Sequence, residues 1–338
     1  MSRLFINDDS IHKRVNYFLE HFPVLNLDSI KTHSFSDPNK DDPIWQLDFG
    51  NTCQQNKEKK PFPFSENFIR TLLYVRNINK HAFNVIEGKE NACTTKLWHA
   101  KDYGYKHELH GGGVMTVIRE NTLEKSAVNM SVVCGPSYPA TEGEYAGKPF
   151  AAAGVSLISH PKNPFAPIVH MNVRCIKVFE ENGKTTTWIG GGADLTPMIP
   201  FAEDTSDFHA AMQQVCERNP QCTDYEKYKK WADDYFYIPH RKEMRGIGGI
   251  FFDFVKVNSD TDTNLLLDVG QFNAHIYASI LARRADTLYD EDMIKKHQEW
   301  RARYAEFNLV YDRGTRFGLL SGGNYEAIFC SLPPIVRW

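Results

Sequence analysis

Two runs of alternating residues, separated by prolines, lie at the centre of the chain and constrain its fold most strongly. Residues 154–160 and 168–174 each alternate small or polar side chains with apolar ones, a pattern typical of β-strands. Pro161, Pro164 and Pro167 lie between the two runs and interrupt regular strand pairing. The pattern therefore predicts two half-buried strands joined by a proline-rich connection.

The second run carries a row of polar side chains. Because the side-chain period of a strand is two residues, His170, Asn172 and Arg174 share one face. The opposite face is apolar and carries Val169, Met171 and Val173. Two interpretations remain open at this point. The polar face is either the solvated side of an antiparallel sheet, or an anion-binding floor in which Arg174 grips a carboxylate and His170 transfers protons.

The rest of the chain predicts an α+β fold, a single large domain built on an antiparallel β-sheet with helices on its faces. Further strands are predicted at residues 114–118, 128–133, 150–158, 175–179, 185–189, 246–257, 306–311 and 325–331. Helices are predicted at residues 11–21, 66–79, 204–216, 225–236, 264–288 and 290–304. Asn182-Gly183 predicts a tight hairpin turn. The glycine-rich stretch 190–197 is interpreted as a loop in which Asp194 accepts backbone N–H bonds.

Charge and cysteine content exclude several classes of function. The formal net charge of -3 argues against a dedicated nucleic-acid surface, which usually carries a basic excess. The seven cysteines include no C-x-x-C pair, so they suggest neither a disulfide framework nor a zinc or iron–sulfur site. No apolar run reaches the roughly 20 residues of a membrane span. Scattered, reduced thiols and an acidic N-terminal stretch favour a cytoplasmic protein.

Four histidines could supply a metal site, because imidazole is the commonest transition-metal ligand. They are His160, His170, His209 and His240. None of them forms a helical i, i+3 or i, i+4 ligand pair with another, and no two-histidine, one-carboxylate pattern is evident. The alternatives are a metal-dependent oxygenase that uses these residues and a set of hydrogen-bonded structural or catalytic histidines.

Several motifs in a fixed order resemble oxygen-dependent coproporphyrinogen III oxidase, from about residue 111 to the C-terminus. The motifs are HPKNP at 160–164, His170-x-Asn172-x-Arg174, GGGADLTP at 190–197, WADDYFYIPHR at 231–241, RGIGGIFFD at 245–253, EFNLVYDRGT at 306–315 and LPPIVRW at 332–338. Two positions depart from the family pattern. Met198 stands where an aromatic residue is expected, and Asn324 stands where many relatives carry arginine.

The resemblance implies an oxidoreductase of haem biosynthesis. Such an enzyme converts two propionates of coproporphyrinogen III to vinyl groups by oxidative decarboxylation, with O2 as co-substrate and with no required metal or organic cofactor. It also implies a homodimer formed through the C-terminal region. We expect residues 1–65 to form an N-terminal helix and a poorly ordered extension packed on a catalytic domain of residues 66–338. A non-catalytic porphyrin-binding protein is the remaining alternative.

The resemblance also implies roles for particular residues. Arg174 is expected to clamp the reacting propionate, Asp312, alone or with Asp194, to hold pyrrole N–H groups, and His170 to move protons. Substrate contacts are expected at Ser156, Asn172, Val173, Arg174, Arg313, Gly322, Gly323 and Asn324. An acidic tetrapyrrole needs aromatic walls, cationic or N–H donors and acidic acceptors, and the chain provides all three.

Overall fold

The computed structural model describes residues 10–36, 42–49, 62–103, 108–140, 142–221 and 224–338. Its helices are α1 (Ile11–His21), α2 (Leu27–Ile30), α3 (Glu66–Glu87), α4 (Ala202–Arg218), α5 (Tyr225–Tyr235), α6 (Asn264–Arg284), α7 (Glu291–Val310), α8 (Arg313–Leu320) and α9 (Tyr325–Phe329). Its strands are β1 (Cys93–His99), β2 (His110–Ile118), β3 (Lys125–Gly135), β4 (Phe150–His160), β5 (Ile168–Phe179), β6 (Thr185–Thr196), β7 (Tyr237–Ile238), β8 (Glu243–Met244) and β9 (Gly248–Lys256).

Seven of these strands form one antiparallel sheet in the order β1-β2-β3-β4-β5-β6-β9. Neighbours in the sheet are mostly neighbours in sequence, because short connections join antiparallel strands directly. The turn at Asn182-Gly183 joins β5 to β6, as the sequence predicts. The predicted α+β class and the single antiparallel-sheet domain are therefore confirmed.

Helices cover the two faces of the sheet differently. On one face, α3 and α6 bury the apolar sides of β4 and β5, including Val155, Met171 and Val173, in the main hydrophobic core, and α4 packs on α6 and β9. On the other face, α5, α7, α8 and α9 stand over the polar side of the same strands. Each strand thus contributes alternate residues to a dry core and to the space beneath the second helical layer.

The N-terminal segment packs on the first helical layer. Ser10 accepts a hydrogen bond from the Lys13 N–H and so caps α1, whose residues Ile11, Val15 and Phe18 are buried against the core. Residues 1–9, 37–41 and 50–61, which carry much of the predicted extension, lie outside the described residues. The division of the chain at residue 65 stays a prediction.

The glycine-rich stretch 190–197 was expected to form a loop, but residues up to Thr196 continue β6. The physical reason is the close approach of neighbouring groups. A Cβ atom added at Gly190 would lie 2.6 Å from Asp253 Oδ1 and 3.0 Å from Arg174 Nη2. One added at Gly191 would lie 3.1 Å from the Phe252 ring. The glycines leave room for these side chains within a strand, so their presence does not signal a turn.

Two predicted C-terminal strands are wrong. Residues 306–311 largely continue α7, whose buried residues recur at helical spacing: His297, Arg301, Tyr304, Ala305 and Asn308. Residues 325–331 begin as α9, which Asn324 caps by accepting hydrogen bonds from the Glu326 and Ala327 N–H groups. The β-branched and aromatic residues in these stretches favour strands locally, and helix packing over the sheet overrides that preference.

The state of the cysteines can be compared with the expectation of reduced thiols. Cys93, Cys175 and Cys330 are free, whereas Cys134 is disulfide-bonded, so the expectation of reduced thiols is wrong at that residue. Spacing in the sequence does not reveal such a pairing.

Among the described residues, no helix combines the length and the apolar character needed to cross a membrane.

Gly270 provides a test of the α3–α6 contact. Its Cα faces Val75, and an added Cβ would lie 2.7 Å from Val75 Cγ2. Glycine to alanine usually stabilises a helix, but here we expect Gly270→Ala to lower the free energy of unfolding by about 1–3 kcal/mol through overpacking. Urea denaturation measures the change. Adding Val75→Ala should relieve the clash, so that the double variant loses less than the sum of the two single changes.

Candidate active site

A cavity of about 470 Å³ lies between the polar face of the sheet and the second helical layer. Its floor is formed by side chains of β3, β4 and β5, including Ser156, His170, Asn172 and Arg174. Its roof comes from α5, α7, α8 and the turn before α9. A cavity of this size, with mixed apolar and polar walls, suits a small organic ligand. The predicted polar face is therefore the floor of an enclosed site rather than a solvated surface.

The strand register arranges the floor in parallel rows. Ser156 pairs with Asn172, while His170 pairs with Asp194 on β6. Arg174 lies between Gly154 and Gly190, which leave space for its side chain. The rows place an imidazole, an amide and a guanidinium side by side, two residues apart along β5.

Arg174 is held at the floor by two partners. Its Nη1 donates to Asn172 Oδ1 at 2.8 Å, and its Nη2 forms an ion pair with Asp253 Oδ2 at 2.8 Å. Asp253 lies on β9 and also lines the cavity. Arg174 retains about a quarter of its side-chain exposure. The guanidinium is thus oriented in advance, and a ligand carboxylate would compete with Asp253 for it.

His170 on the floor contacts a buried ion pair formed by Asp194 and Arg245. His170 Nδ1 lies 2.8 Å from Asp194 Oδ1, and Arg245 Nη2 donates to Asp194 Oδ2 at 2.7 Å. Burial alone would raise the pKa of Asp194, but Arg245 and His170 outweigh it and lower that pKa. An ionised Asp194 accepts a hydrogen bond from His170 Nδ1–H, so Nε2 is the ring nitrogen that is left to exchange a proton with a ligand.

Arg245 sits in an aromatic box beneath the roof. Its guanidinium lies 4.1 Å from the Phe236 ring centroid and 4.6 Å from those of Tyr304 and Phe307. These rings stabilise the cation through their π faces and exclude water from its ion pair with Asp194. Asp194 itself does not line the cavity, and its two carboxylate oxygens contact His170 and Arg245.

Asp312 faces the floor from the roof. It caps α8 by accepting the Thr315 N–H at 2.6 Å, and its other oxygen accepts the Tyr235 hydroxyl at 2.8 Å. Arg313 lies over the ring of Tyr235 at 5.0 Å, and Tyr235 stacks on Phe251 with centroids 4.2 Å apart. A carboxylate and a guanidinium are therefore fixed at one aromatic wall of the cavity.

The remaining predicted substrate contacts divide into two groups. Ser156, Asn172, Arg313, Gly323 and Asn324 line the cavity. Val173 is fully buried on the opposite face of β5, and Gly322 is not part of the lining. The strand period places Val173 in the main core, so its side chain cannot reach a ligand in this cavity.

A comparison with protein families shows which family the chain belongs to. The sequence profile described as coproporphyrinogen III oxidase matches residues 71–338, most of the chain. The chain belongs to the coproporphyrinogen III oxidase family. It is accordingly an oxidoreductase of haem biosynthesis, and the family's tetrapyrrole substrate fits a cavity that combines aromatic walls, cations and carboxylates.

The four histidines considered as metal ligands have separate partners. His160 donates to Ser331 O, His209 contacts Ile247 O and the Tyr225 hydroxyl, and His240 contacts Glu306 and the Tyr311 hydroxyl. Within the described ranges, no three histidine, cysteine or acidic residues come together as a ligand group. The geometry therefore gives no support to the metal-dependent alternative that the sequence left open.

The sequence analysis gave no role to six residues that lie in the cavity wall or directly behind it: Asn129, Tyr235, Arg245, Asp253, Tyr304 and Asn308. Alternation along β3 and β9 could have placed Asn129 and Asp253 on the cavity face. Arg245 gives no local signal, because its partner Asp194 lies 51 positions earlier in the chain. Its place in the site follows only from the tertiary structure.

Removing Arg245 should reveal how strongly the ion pair stabilises the fold. In Arg245→Met, Asp194 would keep its burial but lose its main counter-charge, so its pKa should rise above the unfolded value of 3.8. The variant should therefore lose about 3–5 kcal/mol of unfolding free energy at pH 7, and less as the pH falls towards 4.

Denaturant unfolding at several pH values measures this loss. Adding Asp194→Asn should restore part of the stability at pH 7, since no buried charge then remains unpaired. A loss that is independent of pH would contradict the role assigned to the Asp194 charge.

Proposed function

We propose that this chain catalyses the oxygen-dependent conversion of coproporphyrinogen III to protoporphyrinogen IX. Two propionate side chains become vinyl groups, with release of CO2 and reduction of O2. The observation that carries the proposal is that Arg174 on the floor and Asp312 on the roof open into one cavity. A reduced tetrapyrrole has acidic side chains at its rim and pyrrole N–H groups at its centre, which match these two groups.

The proposed reaction is an oxidative decarboxylation of each of the two propionates. Each propionate loses CO2, one proton and two electrons as its ethylene unit becomes a vinyl group. If O2 takes these electrons, two-electron reduction with two protons gives hydrogen peroxide. The electron-rich pyrrole stabilises the electron-poor intermediate, so the chain supplies position, charge and proton transfer. In this scheme no metal or organic cofactor is required.

Three residues have distinct roles in this proposal. Arg174 binds the reacting carboxylate, exchanging its pairing with Asp253 for the substrate. Asp312 accepts pyrrole N–H bonds from the roof. His170 receives the proton at Nε2, while Asp194 fixes the ring through Nδ1. Asp194 is thus reassigned from a pyrrole contact to a positioning residue, because it does not line the cavity and contacts His170 and Arg245 instead.

The predicted homodimer belongs to the same proposal. The large apolar side chains that the second layer exposes include Leu309, Val310, Leu319 and Leu320. They lie at the end of α7 and the end of α8, in the C-terminal region where the family resemblance places the interface. Burial of this surface against a second copy would favour association.

The cytoplasmic localisation stays a prediction.

One experiment separates this oxidase from the two alternatives. Coproporphyrinogen III is added without oxygen to metal-stripped protein, an O2 pulse follows, and CO2 and the vinyl product are measured. We expect both products only after the pulse. Activity that requires a stoichiometric metal would instead support a metal-dependent oxygenase. Binding of the tetrapyrrole without formation of either product would support the alternative of a non-catalytic porphyrin-binding protein.

Arg174→Ala should lower kcat/KM roughly 100-fold, because a charge-assisted contact to the reacting carboxylate is lost. The fold should persist, since Arg174 is only partly buried and removing it also removes its own desolvation cost. The matched control is Arg316→Ala, an exposed arginine on α8 that does not line the cavity. Kinetics close to those of the unmodified enzyme would refute the clamp assigned to Arg174.

Asp253→Asn tests the competition for Arg174. Without the Asp253 charge, the guanidinium has no anionic partner before the substrate arrives. We therefore expect the dissociation constant of a tetracarboxylate porphyrin to fall by about three- to tenfold, which corresponds to a half-buried ion pair. Fluorescence titration measures the change. Weaker binding would show instead that Asp253 itself contacts the ligand.

A further inference from the structure

Three buried side chains in the cavity wall carry donor hydrogens that have no acceptor among the described residues. They are Tyr304 Oη, Asn308 Nδ2 and Asn324 Nδ2, and all three residues line the cavity. The residues are 1%, 5% and 1% exposed, respectively. Most buried polar groups in proteins find hydrogen-bond partners. A group of three unpaired donors around one cavity therefore indicates a ligand that accepts hydrogen bonds.

The positions of these donors are fixed by other contacts. Tyr304 and Asn308 lie one turn apart on α7 and face the same side. Burial raises the pKa of Tyr304 and outweighs the opposing effects of the Arg245 charge and of a hydrogen bond from Asn308, so the hydroxyl stays protonated and can donate. Asn324 Oδ1 accepts two N–H bonds at the start of α9, which directs its Nδ2 away from the cap and fixes the amide orientation.

The charges of the cavity explain why neutral donors are needed. Its lining carries two arginines, Arg174 and Arg313, and two carboxylates, Asp253 and Asp312. These formal charges cancel. A ligand with four carboxylates brings more negative charge than two arginines can pair, so some of its carboxylates need other donors. Arg245 lies 4.6 Å from the Tyr304 ring and adds positive potential behind these donors.

We propose that Tyr304, Asn308 and Asn324 form a second carboxylate subsite, built from neutral donors and separate from Arg174. It holds a propionate of the tetrapyrrole that is not being decarboxylated. The identity of that propionate rests on the proposed function, whereas the recognition of a carboxylate does not. Holding a second side chain fixes the rotation of the macrocycle in its plane, and thereby determines which propionate reaches Arg174 and His170.

Binding of coproporphyrin III, the oxidised and stable tetracarboxylate, tests the subsite without turnover. Tyr304→Phe should raise its dissociation constant about tenfold, as measured by fluorescence titration. The same variant should be as stable to urea as the unmodified protein, because the hydroxyl has no protein partner to lose. A tyrosine with a purely structural role would show the opposite pattern.

The control is Tyr277→Phe, a buried tyrosine outside the cavity whose hydroxyl contacts Ser159 Oγ at 2.9 Å and Pro167 O at 3.1 Å. It should lose stability and bind the porphyrin normally.

A second variant changes charge and preserves shape. Asn324→Asp retains the oxygen that caps α9 and replaces the donor with a carboxylate oxygen. It should weaken binding of coproporphyrin III by at least tenfold and leave binding of its tetramethyl ester unchanged, because only the acid is repelled.

Unchanged binding of the acid in both variants would overturn the subsite. So would a rise in KM for O2 with unchanged porphyrin affinity, since the donors would then serve the oxidant. If the oxygen pulse releases no CO2 while both variants weaken porphyrin binding, the oxidase proposal fails and the subsite stands.

Discussion

The ion pair between Asp194 and Arg245 joins the sheet to its helical roof. Asp194 belongs to β6, while Arg245 precedes β9 and lies among aromatic rings of the second helical layer. Neither charge is stable in an apolar interior without the other. Their contact therefore fixes the height of the roof above the floor, and with it the width of the cavity. The same carboxylate orients His170, so the support of the fold and the orientation of this imidazole depend on one group.

A second constraint acts along the sheet. The glycines of β6 let Arg174 and Asp253 meet across a strand that carries no side chain between them. Polar residues of β4 and β5 then form the floor, while their neighbours in sequence fill the main core. The strands β4, β5 and β6, which follow one another along the chain, thus supply both layers.

The sequence predicts the part of the site that depends on local geometry. The two-residue period of β5 places His170, Asn172 and Arg174 together whatever the rest of the chain does. Long-range contacts are not accessible in this way. Arg245 finds Asp194 only in the folded chain, and residues such as Phe307 and Val310 extend α7 although their side chains favour strands. The strand β1 was missed because its exposed Thr94, Thr95 and Lys96 do not alternate with apolar residues.

The antiparallel register of β4, β5 and β6 also limits how the chain can change in length. An insertion of one residue in β5 just before His170 would turn the imidazole, amide and guanidinium that follow into the hydrophobic core and bring valine and methionine to the floor. An insertion of two residues would keep each side chain on its face. Variation in length within this sheet should therefore occur in steps of two, or be confined to the hairpin turns at its edges.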